Sequence, residues 1–173
     1  DEAFVTSLLL MVMSDGTHSI DAEAIDVLAA LEEPSRSDLL LRALLVSSAD
    51  HCGALLQDER LAVRLAAVRA LPSFDGAGTS FLIAALDDVH PLIQRTAIHG
   101  LGVQRAVMAR DLVAVFTKEG MPIELRREAI ITLGQMRSLD SLPTLIGITQ
   151  GEDIGLQLAA VAAIAEIPGL EVD

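Results

Sequence analysis

The sequence is poor in aromatic residues and in positive charge. Its 173 residues include no tryptophan or tyrosine and only four phenylalanines, so it lacks the aromatic platforms on which single-stranded nucleic acids stack. Twelve lysines and arginines against 25 aspartates and glutamates give a formal net charge of −13. Binding to phosphate groups needs clustered positive charge, so we expect no nucleic-acid partner.

Cysteine is nearly absent as well. The single cysteine, Cys52, cannot form an internal disulfide, which argues against a stapled secreted module and favours a reducing, cytoplasmic location. In the repeat alignment given below, Cys52 falls at a position that is otherwise leucine: Leu82, Leu112 and Leu145. We therefore predict a small buried apolar residue rather than a reactive thiol.

No apolar run is long enough to cross a membrane. The longest, Ala3–Met13, has eleven residues, whereas a span needs about 20. Asp1 and Glu2 precede it in place of a basic segment, so a signal peptide is a poor fit. Because the sequence does not begin with methionine, we expect it to be part of a longer protein.

Motifs for catalysis and metal binding are also missing. The four histidines, His18, His51, His90 and His99, are scattered, and no glycine-rich phosphate loop or Ser–His–Asp arrangement can be found. One cysteine and four separated histidines do not make a zinc site. The prediction is a protein that is not an enzyme and that has no cofactor and no metal.

What the sequence does contain is a repeat. The pattern around Ala67 returns around Ala97, Ala129 and Ala160, at spacings of 30, 32 and 31 residues. Each copy closes on an aliphatic residue: Leu71, Leu101, Leu133 and Ile164. A fixed period near 30 residues with helical spacing of apolar positions is typical of stacked helical repeats.

The repeat predicts pairs of helices, which we call A and B. The predicted B helices are 59–71, 90–102, 122–134 and 153–166, and the predicted A helices are near 77–87, 104–117 and 139–149. Earlier helices are predicted near 3–13, 21–32, 37–48 and 51–57. Pro91 and Pro122 suit the starts of B helices, where a missing N–H costs nothing. Pro143 requires that its helix start later than residue 139 or kink.

The segment Val63-Arg64-x-x-Ala67-x-x-Ala70-Leu71, preceded by Asp58, resembles the short HEAT-like repeat of phycobilin lyases. The resemblance covers roughly residues 37–167. It implies an all-α fold, a right-handed α-solenoid of about five stacked antiparallel helix pairs in a single domain over residues 1–173, with the B helices lining the concave face. Residues 1–35, with eight acidic and no basic side chains, would form an atypical N-terminal helix pair that caps the array.

The chain departs from the family's pattern at its polar positions. The long polar residue three before the alanine is Arg64 or Arg126 in two copies but Gln94 or Gln157 in the others, and Gly120 replaces the family's aspartate in the third. The ladder of Asp–Arg contacts between repeats that the family implies is therefore expected to be incomplete.

Charge placement is the most informative functional feature. The helices 37–48, 59–71, 90–102 and 122–134 carry seven of the twelve basic residues and are together net +3. The candidate partner-binding residues on the concave face are Arg60, Arg64, Arg69, Arg95, His99, Arg126 and Arg127. The alternative is that these arginines pair internally with Asp58, Asp87 and Asp88. We favour exposure for Arg95, His99 and Arg127, and expect Met108 and Met136 to fill the core.

Three functions remain open. The leading hypothesis is a non-enzymatic interaction scaffold that binds an acidic or amphipathic segment of another protein on the concave face. The resemblance alone implies the second, a bilin-lyase-like or chaperone-like protein that handles a tetrapyrrole or its acceptor subunit. The third is an interaction domain of a larger enzyme or signalling protein. The Ala- and Ile-rich last helix adds the prediction of a homodimer through the C-terminal face.

Overall fold

A computed structural model describes residues 22–32 and 35–169 of the chain, and all regular structure in that part is helical. Ten α-helices follow one another: α1 Ala22–Ala29, α2 Ser35–Leu45, α3 Ala49–Leu55, α4 Leu61–Ala70, α5 Gly76–Ala85, α6 Pro91–Val103, α7 Arg110–Val115, α8 Ile123–Gln135, α9 Leu142–Thr149 and α10 Ile154–Ala165. Short 3₁₀ turns cover Leu71–Phe74, Val107–Ala109 and Leu139–Ser141. The all-α prediction is confirmed, while the predicted helix 3–13 lies outside the described residues.

The chain divides into two compact units, residues 1–81 and 82–173. In the first unit α2 and α3 both pack on α4, and α1 contacts α2 and α4. Leu40, Leu44 and Val63 are fully buried between these helices. Because α4 supplies the apolar face that its neighbours share, it is the centre of this unit's core.

In the second unit the B helices lie side by side. Helix α8 packs against both α6 and α10, while α7 packs on α8 and α9 packs on α10. The repeat alanines Ala97, Ala129 and Ala160 have no exposed surface, and neither does Ala67 in the first unit. An alanine at this position lets the backbones of packed helices approach closely, which explains why the repeat keeps it.

Two contacts fix the level of neighbouring B helices. The hydroxyl of buried Thr132 on α8 donates a hydrogen bond to the carbonyl oxygen of Ile98 on α6 at 3.1 Å. Gly134 on α8 approaches α10 so closely that a Cβ there would lie 2.6 Å from the Cα of Ala163. Both contacts join residues about one repeat apart, so equivalent positions of adjacent B helices lie at similar heights.

The A helices differ more from prediction than the B helices. The four B helices begin and end within two residues of their predicted limits, whereas the predicted helix 104–117 is a 3₁₀ turn followed by the six-residue α7. Of the two alternatives for Pro143, the later start is observed, because α9 begins at Leu142. Proline in a first turn leaves no intrahelical hydrogen bond unmade.

Two residue predictions in the A helices are wrong. Leu112, which aligned with Cys52, is 46% exposed, and the neighbouring Val113 is buried in its place. The 3₁₀ turn before α7 advances the helix by about one residue relative to the other A helices, which rotates Leu112 out of the core. Met108, expected in the core, lies in that turn and is 80% exposed, whereas the prediction for Met136 is confirmed at 3%.

Candidate partner-binding surface

The three candidate arginines of the first unit have different surroundings. Arg60, at the N-terminus of α4, donates from Nε and Nη2 to the carboxylate of Asp58 at 2.8 and 2.7 Å. Its Nη1 donates to Asp26 of α1 at 2.6 Å. Two carboxylates therefore already occupy the Arg60 guanidinium, although its side chain remains 40% exposed.

This cluster is the clearest electrostatic feature of the first unit. The hydrogen bond from Arg60 is the main reason why the pKa of the Asp58 carboxyl lies below its usual value. The carboxylates of Asp58 and Asp26 in turn raise the pKa of Arg60. Each effect follows because an opposite charge favours the ionised form of its neighbour. The cluster ties α1 to the start of α4 and so has a structural use that needs no partner.

Arg64 is half-buried and turns back along its own helix. Its Nη1 donates to the main-chain oxygens of Asp58 and Glu59 at 2.8 and 3.1 Å. Arg69, near the other end of α4, is exposed, and among the described residues no hydrogen bond or ion pair engages it. Of the three arginines, Arg69 has the charge that is most accessible to an external group.

Arg126 in the second unit resembles Arg64 in its contacts. It is half-buried, and its Nε donates to the main-chain oxygen of Thr117 at 3.2 Å. Thus both arginines at the position of the family's ladder bind main-chain carbonyl groups in the segment that leads into their own B helix. These contacts anchor loops to helices and leave the choice between ladder and binding surface open.

A groove of about 540 Å³ lies beside Arg126, at the ends of α7 and α9 and the starts of α8 and α10. Its walls carry two cations, Arg126 and Lys118, together with the carboxylates of Glu119, Glu152 and Asp153. Asp153 also caps α10, because its Oδ1 accepts from the N–H of Leu156 at 2.9 Å. With three acids to two bases, the groove does not select an anionic ligand.

Arg95 on α6 and Arg127 on α8 are the most available cations of the second unit. They occupy equivalent repeat positions on two packed helices, half-buried and exposed respectively, and within residues 22–32 and 35–169 neither makes an ion pair or hydrogen bond. Arg127 extends toward α10, since a Cβ on Gly155 would lie 3.5 Å from its Nη2. Two uncompensated guanidinium groups thus lie at one level of adjacent helices.

His99 lies one turn beyond Arg95 on α6 and contacts α8. Its Nδ1 is 3.0 Å from Oε1 of Glu128, and its side chain is 56% exposed. The predicted exposure of His99 therefore comes with a carboxylate neighbour. Glu128 supplies a negative charge at the edge of this surface, and a partner that binds here has to accommodate it.

Aliphatic side chains complete the surface. Ile123 and Ile131, one turn on either side of Arg127 on α8, are 44% and 38% exposed, and Leu158 on α10 is 66% exposed. We call the surface formed by Arg95, His99, Arg127 and these three aliphatic residues the mixed strip. It combines positive charge with apolar area, as grooves that bind amphipathic helices do.

No model of a known protein family matches the chain, and no curated protein matches it. Within the described part of the chain, no His, Cys, Asp and Glu side chains come together in a group of three or more that could hold a metal ion. None of the helices described is both long and apolar enough to cross a bilayer. The function is therefore argued from the surface itself.

Two features of the surface were missed in the sequence. Asp26 is 34 residues from Arg60 and belongs to a helix outside the regular repeats, so no periodic signal pointed to it. Glu128 is 29 residues from His99, close to one repeat length. A search for opposite charges one repeat apart would have found that pair.

Proposed function

We propose that the chain is a HEAT-like α-solenoid that acts as a non-enzymatic protein-interaction scaffold and binds an acidic or amphipathic segment of a partner along the mixed strip. The observation that carries this proposal is the pair Arg95 and Arg127. They lie at the same level of two packed helices, without a counter-charge among the described residues and beside exposed aliphatic side chains.

The solenoid part of the proposal is supported by burial and packing in register. The alanines of all four repeat copies are buried, and three B helices pack in sequence in the second unit. Stacked repeats bury each unit's apolar face against its neighbour. The right-handed superhelix and the concave position of the B helices follow from the family resemblance and are part of the proposal.

An amphipathic helix rich in glutamate suits the mixed strip best. Its apolar side can cover Ile123, Ile131 and Leu158, while its carboxylates reach Arg95 and Arg127. Burial of apolar area contributes about 25 cal/mol per Å² before the costs of association. The arginines then set orientation and select against basic segments.

The proposal is tested with a designed probe. A fluorescently labelled helical peptide with leucines at i, i+3, i+4 and i+7 and glutamates on the flanks is titrated with the full 173-residue chain, and anisotropy is recorded. Arg95→Glu combined with Arg127→Glu is expected to weaken binding about tenfold or more, because each reversal turns attraction into repulsion. A peptide with lysine in place of glutamate should bind the natural chain weakly.

The matched control is Arg105→Glu combined with Lys118→Glu. Both residues are exposed, and neither has a partner in the part of the chain that the structure describes. They carry the same total charge but lie outside α6, α8 and α10. This control should bind the peptide within about twofold of the natural chain. Equal loss in both double variants, or no loss in the first, would remove the mixed strip as the binding surface; circular dichroism at 222 nm verifies folding.

A further inference from the structure

Helix α10 carries an exposed apolar stripe that the mixed strip does not explain. Ile154, Leu158, Val161 and Ala165 are separated by four, three and four residues, which places them on one face of the helix. The first three are 70%, 66% and 56% exposed. No residue of α10 is charged, so the whole face is uncharged as well as accessible.

Equivalent residues of the other B helices are covered. Val161 aligns with Ile130 on α8 and with Ile98 on α6, and both isoleucines are fully buried. The carbonyl oxygen of Ile98 accepts a hydrogen bond from α8, so this face of α6 looks toward the next B helix. On α10 the same face has no helix next to it among the described residues.

The last position of the stripe repeats this comparison. Ala165 aligns with Gly134, which is buried in close contact with the backbone of Ala163 on α10. Ala165 itself is exposed. The stripe thus has the small and aliphatic residues with which this chain packs one B helix on another, and it fits a helix of the chain's own type better than a charged segment.

We propose that this stripe pairs with the same stripe of a second copy, with the two α10 helices antiparallel about a two-fold axis between residues 159 and 160. In that arrangement Ile154 meets Ala165 of the other copy, and Leu158 meets Val161. Each larger side chain therefore faces a smaller one. Spacings of four, three and four residues are those of helices that pack side by side along a seam, and a two-fold contact closes without forming fibres.

The pairing is weak because only one helix of each copy takes part. The stripe offers a few hundred Å² at most, whereas a stable interface buries about 800 Å² of each partner. Two copies that each carry a net charge of −13 also repel one another, and salt screens that repulsion. The dissociation constant is expected between about 10 μM and about 1 mM and should decrease when NaCl is added.

Sedimentation velocity of the full chain over this concentration range tests the pairing. The natural chain should change from monomer to dimer, and Val161→Glu should raise the dissociation constant about tenfold or more, because it places two carboxylates in an apolar seam. The control is Val103→Glu on the last residue of α6, which is 57% exposed and lies away from α10. It should dimerise like the natural chain.

A second measurement tests the orientation. Chains with Ile154→Cys and chains with Ala165→Cys should form a disulfide-linked dimer when the two are mixed under mild oxidation, and neither variant should cross-link efficiently alone. The proposal is overturned if the natural chain remains monomeric throughout the range, if Val161→Glu has no effect, or if Val103→Glu weakens the dimer equally. Efficient cross-linking of the single variants without mixing would exclude the antiparallel arrangement.

Discussion

At the scale of single residues, Cys52 shows how burial decides chemistry. It is fully buried on α3, with Sγ 3.7 Å from the carbonyl oxygen of Leu44. Burial raises the pKa of the Cys52 thiol from its ordinary value near 9 to about 11, because the thiolate would lose its solvation. The sequence prediction of a buried, unreactive thiol is confirmed.

This thiol predicts a dependence of stability on high pH. A group whose pKa is higher in the folded state than in the unfolded state contributes stability below the unfolded pKa and loses it as the pH rises. The free energy of unfolding should therefore be level from pH 7 to 8.5 and then decrease by roughly 2 kcal/mol between about pH 9 and pH 11. Urea unfolding followed by circular dichroism at half-unit intervals measures this decrease.

The composition makes the Cys52 experiment unusually clean. The chain has no tyrosine and a single lysine, Lys118, which is exposed, so few other groups titrate in this range. Cys52→Ala should be less stable at pH 7 because it leaves a small cavity, but its stability should not decrease further from pH 9 to 11. A parallel decrease in both proteins would assign the effect to another group.

The arginines show what a residue's type does not reveal. Arg60, Arg64 and Arg95 all appear in the sequence as basic residues on B helices. One binds two carboxylates, one binds main-chain oxygens, and one has no partner in the described part of the chain. The difference depends on which groups the fold brings within 3 Å, and that distance is not encoded in the local sequence.

At the scale of helices, the contact between α8 and α10 depends on a missing side chain. A Cβ on Gly134 would lie 2.6 Å from Cα and 2.7 Å from Cβ of Ala163. The two helices can pack at this distance only because Gly134 has no side chain. Glycine lowers helix stability by about 1 kcal/mol relative to alanine, so close packing here offsets a local cost.

Gly134→Ala is therefore expected to destabilise the protein by roughly 1 to 2 kcal/mol, because strain from overpacking exceeds the gain in helix propensity. Gly147→Ala is the matched control: it lies within α9, and a Cβ there meets nothing within 4 Å. That change should stabilise the protein by about 0.5 to 1 kcal/mol. Urea unfolding of both variants measures the opposite signs; two stabilising results would show that α10 can move away from α8 at little cost.

The helices also show which parts of the fold the sequence could predict. The B helices have a regular apolar spacing, a repeated alanine and proline near their starts, and all four were placed within two residues of their observed limits. The A helices have weaker signals. The 3₁₀ turn before α7 shifts Val113 into the core in place of Leu112, and a local change of this kind has no periodic signature.

At the scale of the whole molecule, positive charge is a local exception. The net charge is −13, yet Arg95 and Arg127 form an uncompensated pair on the mixed strip. The sequence indicated this placement, since it assigned most arginines to B helices. It could not indicate that Glu128 joins His99 or that Asp26 joins Arg60, because those pairs form only when separate helices pack.

The opposition between local and total charge predicts an unusual salt dependence for the proposed binding of an acidic peptide. In about 10 mM salt the screening length is near 30 Å, so an approaching peptide experiences the negative charge of the whole molecule. In about 100 mM salt it is near 10 Å, and the peptide experiences mainly the mixed strip. The association rate should therefore rise about threefold between these conditions, instead of falling as it does for oppositely charged partners.

Stopped-flow measurement of that rate gives the test, with the lysine peptide as control. Its association should slow when salt is added, because the long-range field of the molecule attracts it. For Arg95→Glu combined with Arg127→Glu, the association rate of the acidic peptide should be lower at every salt concentration and should still rise with salt, since both the local and the total charge are then repulsive. A steep decrease of the rate for the natural chain would mean that a positive field larger than the mixed strip guides the acidic peptide, which contradicts the charge distribution argued here.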